Sequence, residues 1–168
     1  MHIDKNHLYH GAALIQIAED PKFTSINELK IKKVSYRDVF GINKDSAVFL
    51  KYAGEPANVH QEFVFNFDKA TRDRLKEIGD HVGHLVLGLV CVEAEHICCI
   101  TSTEFWRLIN RRITAKGEEE DQITILITCP PSEGFHVYVN KPGVKNMKIG
   151  KNLNVPRNAF PKKVFTKD

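Results

Sequence analysis

Long hydrophobic runs are absent from this sequence of 168 residues. No apolar stretch reaches the roughly 18 residues that a membrane-spanning helix needs. The first residues, "MHIDKNHLYHG", also lack the basic and then apolar order of a signal peptide. Both absences predict a protein that stays in the cytoplasm and does not enter a membrane.

Cysteine is scarce as well, and its placement does not indicate a disulfide framework. Cys91, Cys98, Cys99 and Cys129 all lie in apolar, strand-like text, where a thiol usually serves as a small buried hydrophobe. Strand alternation sends Cys98 and Cys99 to opposite faces, so at most one of them could join His96 at a zinc ion, which needs four ligands. We therefore expect no disulfide, no metal site and no cofactor.

Signatures of common nucleotide-binding folds are missing too, because no helix-turn-helix, RNA-recognition, phosphate-loop or dinucleotide motif occurs. The composition, with 42% hydrophobic and 27% charged residues, is that of a globular protein. A chain of this length can bury about 70% of its unfolded surface. We expect one domain, with a core from about residue 5 to 140 and a basic segment, residues 141–168, packed on it.

What the sequence does have is an uneven charge distribution. Residues 141–168 hold eight basic residues and one acid, so this segment carries +7 and the remaining 140 residues carry −4. A basic end on an acidic body is typical of a protein that binds a polyanion such as DNA or RNA. A solvated tail that keeps the protein soluble is the alternative.

The candidates for phosphate contacts are basic residues of this segment and of a preceding helix. They are Arg107, Arg111, Arg112, Lys145, Lys148, Lys151, Arg157, Lys162 and Lys163, together with Lys51. Aromatic residues that could stack on bases are few in the segment, so single-strand recognition by stacking has little support.

Apolar periodicity predicts the secondary structure. A helix is expected from about residue 5 to 19, with Asp4 or Asn6 as its cap and an apolar stripe of Leu8, Ala12, Ile15 and Ala18. Gly11 lies inside this pattern, which indicates either that another element packs closely there or that the helix begins after it. Further helices are expected after Asp68 and, from a capping box, after Thr101.

The strands are predicted from alternation and from short apolar runs. "INELKIKKVSYRDVFGIN" reads as one or two strands that bend near Ser35, followed by "AVFLKY", "QEFVFNF" and the central strand "HLVLGLVCV", with "ICCI" returning from it. "QITILITC" and "FHVYVN" form a C-terminal hairpin. The expected fold is α/β (α+β): a mixed central sheet with flanking helices.

The run Ala47–Tyr52 contains one charge, Lys51, in an otherwise apolar strand. The order helix, three strands, helix and central strand, from about residue 5 to 100, resembles the core of the PD-(D/E)xK nucleases, the restriction-endonuclease-like fold. In that family an acid and then an acid–x–lysine strand hold Mg²⁺ and activate water. The resemblance places Lys51 at the family lysine, but Phe49 replaces the acid.

The nuclease interpretation therefore needs carboxylates from elsewhere in the chain. The candidates are Asp38, Asp45 and Glu62, which would hold Mg²⁺ beside Lys51. The simpler interpretation is a lysine that lays its stem on apolar neighbours and puts its amine in water. His10 and Tyr9 are expected to face the same cleft as Lys51.

We favour a non-catalytic protein on a nuclease-like fold that has lost its motif, which binds either nucleic acid or a partner protein that processes nucleic acid. An active Mg²⁺-dependent endonuclease and a protein-interaction module without nucleic acid are the alternatives. A role in restriction or defence rests on fold analogy. The oligomeric state stays open, a homodimer included.

Overall fold

The chain folds into an α+β structure with two β-sheets, and a computed structural model describes residues 1–167. The helices are α1 (Lys5–Ala18), α2 (Lys69–His81), α3 (Ser102–Lys116) and the short α4 (Lys162–Phe165). The strands are β1 (Ile26–Ile31), β2 (Val34–Ile42), β3 (Ser46–Ala53), β4 (Phe63–Asp68), β5 (His84–Cys91), β6 (His96–Thr101), β7 (Gln122–Thr128), β8 (Phe135–Tyr138) and β9 (Leu153–Val155). The predicted mixture of helices and strands is confirmed.

The larger sheet has the strand order β1-β2-β3-β5-β6. Only β3 and β5 run parallel, and the other neighbours pair antiparallel. All residues of β5 are buried, because the strand lies between β3 and β6 and contacts all four helices. The predicted central strand is therefore confirmed.

The smaller sheet was not expected from the sequence. Its order is β4-β7-β8-β9, and the predicted hairpin of β7 and β8 forms within it. On β4, Phe63, Phe65 and Phe67 are buried as predicted, each opposite an isoleucine of β7. These cross-strand pairs of aromatic and β-branched residues favour the pairing of β4 with β7 in a separate sheet.

The helix starts follow the predicted caps. The Asp68 carboxylate accepts a hydrogen bond from the backbone N–H of Thr71 at 2.7 Å, which starts α2. Thr101 and Glu104 form a capping box at α3, and Asp4 caps α1. Each cap satisfies N–H groups that have no partner inside the helix.

The predicted apolar face of α1 is wrong. The buried residues of this helix are His10, Ala13 and Ile17, whereas the expected stripe faces solvent. In that stripe Leu8 is 56% exposed and Ile15 is 62% exposed. Two apolar stripes compete in the α1 sequence, and contacts with the sheet decide between them.

Two further local predictions are corrected. Helix α1 continues through Gly11, and a Cβ atom built there meets nothing within 4 Å, so neither close packing nor a later helix start explains this glycine. The turn between β1 and β2 lies at Lys32 and Lys33, which have φ angles of 49° and 68°, and Ser35 is already inside β2.

The C-terminal residues pack on the body of the protein. Strand β9 pairs with β8, and Val155, Phe160 and Val164 belong to the same buried cluster as the central strand. Asp168, the one acid counted in the basic segment, lies outside the described residues. None of the helices within residues 1–167 has the length and apolar character that crossing a membrane requires.

Candidate functional site

An open groove lies where β2 and β3 separate. The two strands pair from Ile42 and Ser46 to Val39 and Phe49, and the ladder ends there, while β3 continues its pairing with β5 as far as Ala53. Helix α1 forms one wall of the gap. The groove has a volume of about 1220 Å³ and is lined by polar, charged and aromatic side chains, among them His10, Tyr36, Arg37, Asp38, Lys51, Tyr52 and Arg74.

Lys51 enters this groove from β3. Its amine lies 5.8 Å from the centroid of the Phe67 ring, and it has no carboxylate partner within residues 1–167. Phe49, two residues earlier, is 2% exposed and packs against the same ring at 6.2 Å between centroids. Phe49 is therefore part of the hydrophobic core, and Lys51 carries an uncompensated positive charge at the end of that core.

Asp38 lies across the groove on β2. One of its oxygens is 3.6 Å from the Arg74 guanidinium of α2, and the other is buried without a hydrogen-bond partner among the described residues. The Arg74 guanidinium also lies 6.0 Å from the centroid of the Tyr36 ring. The charge of Asp38 is thus balanced by an arginine of the protein itself.

His10 forms part of the α1 wall, as predicted, whereas Tyr9 does not line the groove and packs on the Tyr52 ring at 4.8 Å between centroids. Burial lowers the pKa of His10, the nearby carboxylates of Asp38 and Asp4 oppose that change, and the charge of Lys51 adds to it. Its ring packs edge-on to Tyr52 at 6.0 Å between centroids. A lowered pKa favours a neutral imidazole at neutral pH, which can accept or donate a hydrogen bond.

Two of the carboxylates proposed as Mg²⁺ ligands do not reach this groove. Asp45 precedes the first residue of β3, so it lies about 20 Å from Lys51 along the strand, and it pairs with Lys167. Glu62 is buried, accepts hydrogen bonds from the Tyr138 hydroxyl and from the Asn58 amide, and is not a groove residue. Of the four proposed catalytic residues, only Asp38 and Lys51 share the groove.

The described part of the chain has no cluster of side chains suited to binding a metal ion. No three His, Cys, Asp or Glu residues within residues 1–167 are arranged to hold an ion. Burial raises the pKa of Cys99 to about 12 and raises the pKa of Cys98 well above its usual value, so both thiols are neutral in this environment.

A second candidate site is a basic surface formed by α3 and by the loop that precedes β9. We define the basic surface as Arg107, Arg111, Lys145, Lys148 and Lys151. Arg107 and Arg111 are one helical turn apart on α3, and the Arg111 guanidinium donates to the backbone carbonyl of Lys151 at 3.0 Å. This contact, and the hydrogen bond that the Arg112 guanidinium donates to the Asn140 carbonyl, hold the two ends of the loop beside the helix.

The loop that carries these lysines is held in place by backbone hydrogen bonds. The Lys141 N–H donates to the Met147 carbonyl at 2.7 Å, and the Ile149 N–H donates to the Val139 carbonyl at 2.9 Å. The Lys148 amine lies 4.4 Å from the centroid of the Tyr138 ring. Within residues 1–167 no carboxylate forms an ion pair with any residue of the basic surface. Arg107 and the three lysines are exposed, Arg111 is half-buried, and no carboxylate of the described chain neutralises any of the five charges.

Other basic residues that we proposed for phosphate contacts are engaged within the fold. Arg112 binds both oxygens of Glu120, at 2.6 and 2.7 Å. Arg157 donates to the backbone carbonyls of Pro130 and Glu133, and Lys163 binds the carboxylate of Glu104 at 2.9 Å. Lys162 is exposed on α4. The ion pairs neutralise the charges of Arg112 and Lys163. Two backbone carbonyls hold the Arg157 guanidinium against the fold, whereas Arg111 makes one such contact.

The groove also contains residues that the sequence did not single out. Arg37 and Arg74 add two guanidinium groups, and Tyr36 and Tyr52 add aromatic rings. Arg37 stands next to Asp38 in "YRDVF", and this was the only sequence signal that could have indicated it.

No family model matches the sequence, and no curated protein or solved structure matches it either.

Proposed function

We propose that this protein binds nucleic acid, or a partner that processes nucleic acid, without catalysing a reaction on it. The observation that carries the proposal is the basic surface: five cationic side chains on one helix and the adjoining loop, none paired with a carboxylate within residues 1–167. Phosphate contacts of this kind release counterions and supply most of the sequence-independent affinity for DNA or RNA.

The groove supports the same function in a secondary way. Lys51 and Arg37 have no carboxylate partner in the described chain, so two further cations are available to a phosphate there. The half-buried Tyr52 ring lines the groove and is available to pack against a sugar or base beside these cations. The resemblance to PD-(D/E)xK nucleases concerns Lys51 and β3, which line this groove. By analogy of fold, our proposal includes a role in restriction or defence in the cytoplasm.

The absence of catalysis rests on the carboxylates. A two-carboxylate Mg²⁺ site needs a second acid beside Asp38, and the position that the resemblance assigns to this acid holds the buried Phe49 ring. Asp38 itself pairs with Arg74. The groove therefore offers one compensated carboxylate to a divalent cation.

The test is binding of a short labelled DNA duplex and of a single-stranded RNA at two salt concentrations. We expect affinity to fall steeply with salt, and we expect the triple variant Lys145→Gln/Lys148→Gln/Lys151→Gln to bind much more weakly. The matched control is Lys22→Gln/Lys30→Gln/Lys76→Gln, which removes the same net charge from other elements and should keep most of the affinity. Binding that is absent or independent of salt would leave the protein-interaction function instead.

A Mg²⁺-dependent nuclease is the second candidate, favoured by one observation: Asp38 and Lys51 line the same groove. It predicts Mg²⁺-dependent cleavage of DNA that is lost in both Asp38→Asn and Lys51→Ala. Our proposal predicts no cleavage above background with the wild-type protein. Cleavage abolished by both substitutions would replace the non-catalytic proposal.

A further inference from the structure

Helix α1 exposes an apolar stripe that nothing in the described chain covers. Its inner side, with Ala13 and Ile17 fully buried, packs on the sheet. On the outer side Leu8 is 56% exposed, Ile15 is 62% exposed, and Ala12 between them is also exposed. A helix with a buried apolar side and a second, exposed apolar side is typical of a helix that packs against two partners.

The exposed residues follow the spacing of a helix–helix contact. Lys5, Leu8, Ala12, Ile15 and Glu19 recur at intervals of three and four residues, which is the spacing of the contact positions in packed helix pairs. We call these five residues the outer stripe. All of them face solvent. The stripe has apolar residues in the middle, a small residue at its centre and opposite charges at its two ends.

The charges at the two ends are placed against the helix dipole. Lys5 is the first residue of α1 and Glu19 is its C-cap, and within the helix there is no acid in the first turn and no basic residue in the last, so the N-cap Asp4 is the one favourable charge at these ends. A positive charge at the N-terminus and a negative charge at the C-terminus are both unfavourable for an isolated helix. Neither side chain forms an ion pair within residues 1–167. Their arrangement fits a partner outside this chain.

We infer that a second copy of this chain packs antiparallel on the outer stripe, with a two-fold axis near Ala12. The axis places Leu8 of one copy against Ile15 of the second copy, on both sides of the small central residue. Lys5 and Glu19 are each seven residues from Ala12, so each lysine meets the glutamate of the other copy. The stripe is therefore complementary to itself in shape and in charge, as an isologous interface must be.

The antiparallel orientation also resolves the unfavourable dipole placement. It brings Lys5 beside the negative C-terminal end of the other helix, and Glu19 beside the positive N-terminal end. A parallel pair would instead place lysine beside lysine and glutamate beside glutamate. The charge pattern thus selects one orientation, and alanine at the axis allows the two backbones to approach closely.

The size of the contact sets the strength of the dimer. A pair of helices about 21 Å long buries less than the roughly 1,000 Å² typical of stable interfaces. The dimer is therefore weak, reversible and dependent on concentration. Because His10 and Gly11 of α1 form a wall of the groove, the dimer places one groove on each side of the helix pair.

The test is sedimentation equilibrium of the full chain over a wide concentration range. Each single variant, Lys5→Glu and Glu19→Lys, turns two attractive contacts into repulsive ones, and we expect the Kd of the dimer to rise about tenfold. The double variant Lys5→Glu/Glu19→Lys restores attraction and should return the Kd close to the wild-type value. Lys44→Glu, an exposed residue on the β2–β3 turn, is the charge-matched control.

A destabilised helix would not explain a higher Kd in the single variants, because both substitutions place the new charge favourably for the dipole of α1. Leu8→Gln/Ile15→Gln should remove the dimer, since both residues are exposed and do not support the monomer fold. Oxidation of Ala12→Cys should yield a symmetric disulfide-linked dimer, whereas Lys44→Cys should not. A wild-type monomer at all concentrations, or a double variant that does not recover, would overturn the inference.

Discussion

The two halves of the basic C-terminal segment have the same kind of composition and opposite structural roles. In residues 141–151 the lysines face solvent and meet no carboxylate of the described chain. In residues 157–167 Arg157 binds two backbone carbonyls, Lys163 binds Glu104 and Lys167 binds Asp45. We call them the exposed half and the attached half.

This difference changes what the net charge of the segment means. A value of +7 counted from the sequence treats every basic residue as available to a polyanion. The structure engages three of the four basic residues of the attached half in contacts within the chain. The charge available for nucleic acid is therefore concentrated in the exposed half and in the α3 arginines beside it.

The largest expected difference between the two halves is in how much their apolar residues contribute to the free energy of unfolding. Phe160, in the attached half, is 6% exposed and contacts the central strand β5 near Gly88. We expect Phe160→Ala to lower the free energy of unfolding by about 3–4 kcal/mol, because it leaves a cavity in the core. Urea unfolding measures this value.

The control for that measurement is Val144→Ala in the exposed half. Val144 is 44% exposed, so its truncation should change the free energy of unfolding by less than about 0.5 kcal/mol. Equal effects of the two substitutions would mean that the halves do not differ in attachment.

A smaller effect is expected from the lysines. Lys163 and Glu104 are each about one-fifth exposed, and the Glu104 carboxylate also accepts from the Thr101 N–H in the capping box. Lys163→Met leaves this carboxylate without its cation, and we expect a loss of about 1–2 kcal/mol. Lys148→Met, in the exposed half, should change stability by less than about 0.5 kcal/mol. A loss with Lys148→Met as large as with Lys163→Met would contradict the comparison.

The smallest expected effect is the influence of Lys167, the last described residue of the attached half, on the pKa of Asp45. The hydrogen bond and charge of Lys167 lower the pKa of Asp45 below its usual value of 3.8. A lowered folded-state pKa stabilises the fold above pH 3.8, and this contribution is lost as the pH falls through the folded-state value. NMR titration of the Asp45 carboxyl group should give a lowered pKa in the wild type.

In Lys167→Gln the Asp45 pKa should return towards 3.8. Because both side chains are more than half exposed, high salt should have a similar effect on the wild type. An unchanged pKa in the variant would indicate that Lys167 is not attached to the turn before β3.

Local patterns predicted much of this fold, and contacts distant in sequence account for the rest. Caps such as Asp68 and alternation such as Phe63, Phe65 and Phe67 are encoded within a few residues, and they were predicted correctly. The pairing of β4 with β7 joins residues that are more than fifty positions apart, so the second sheet left no local signal. The inner side of α1 was chosen by the sheet, because both sides of that helix carry apolar residues.

The candidate sites show the same limit. The chain sequence indicated Lys51, Asp38 and His10, and all three line one groove. The spacing already separates Asp45 from Lys51, because the two residues lie at opposite ends of one predicted strand and six extended residues span about 20 Å. Which arginines and lysines are engaged depends on carbonyls and carboxylates such as Glu104 and Glu120, which are distant in sequence or reached through a turn.

The most direct test of the account is the slope of log affinity for a DNA duplex against log salt concentration. We predict a steep wild-type slope that decreases by roughly 2–3 when Lys145, Lys148 and Lys151 are changed to glutamine, because each lost phosphate contact removes about 0.9. Neutralising the attached half with Arg157→Gln/Lys163→Gln, at a temperature where the variant is folded, should leave the slope nearly unchanged. Equal decreases for both halves, or a flat wild-type slope, would contradict the account.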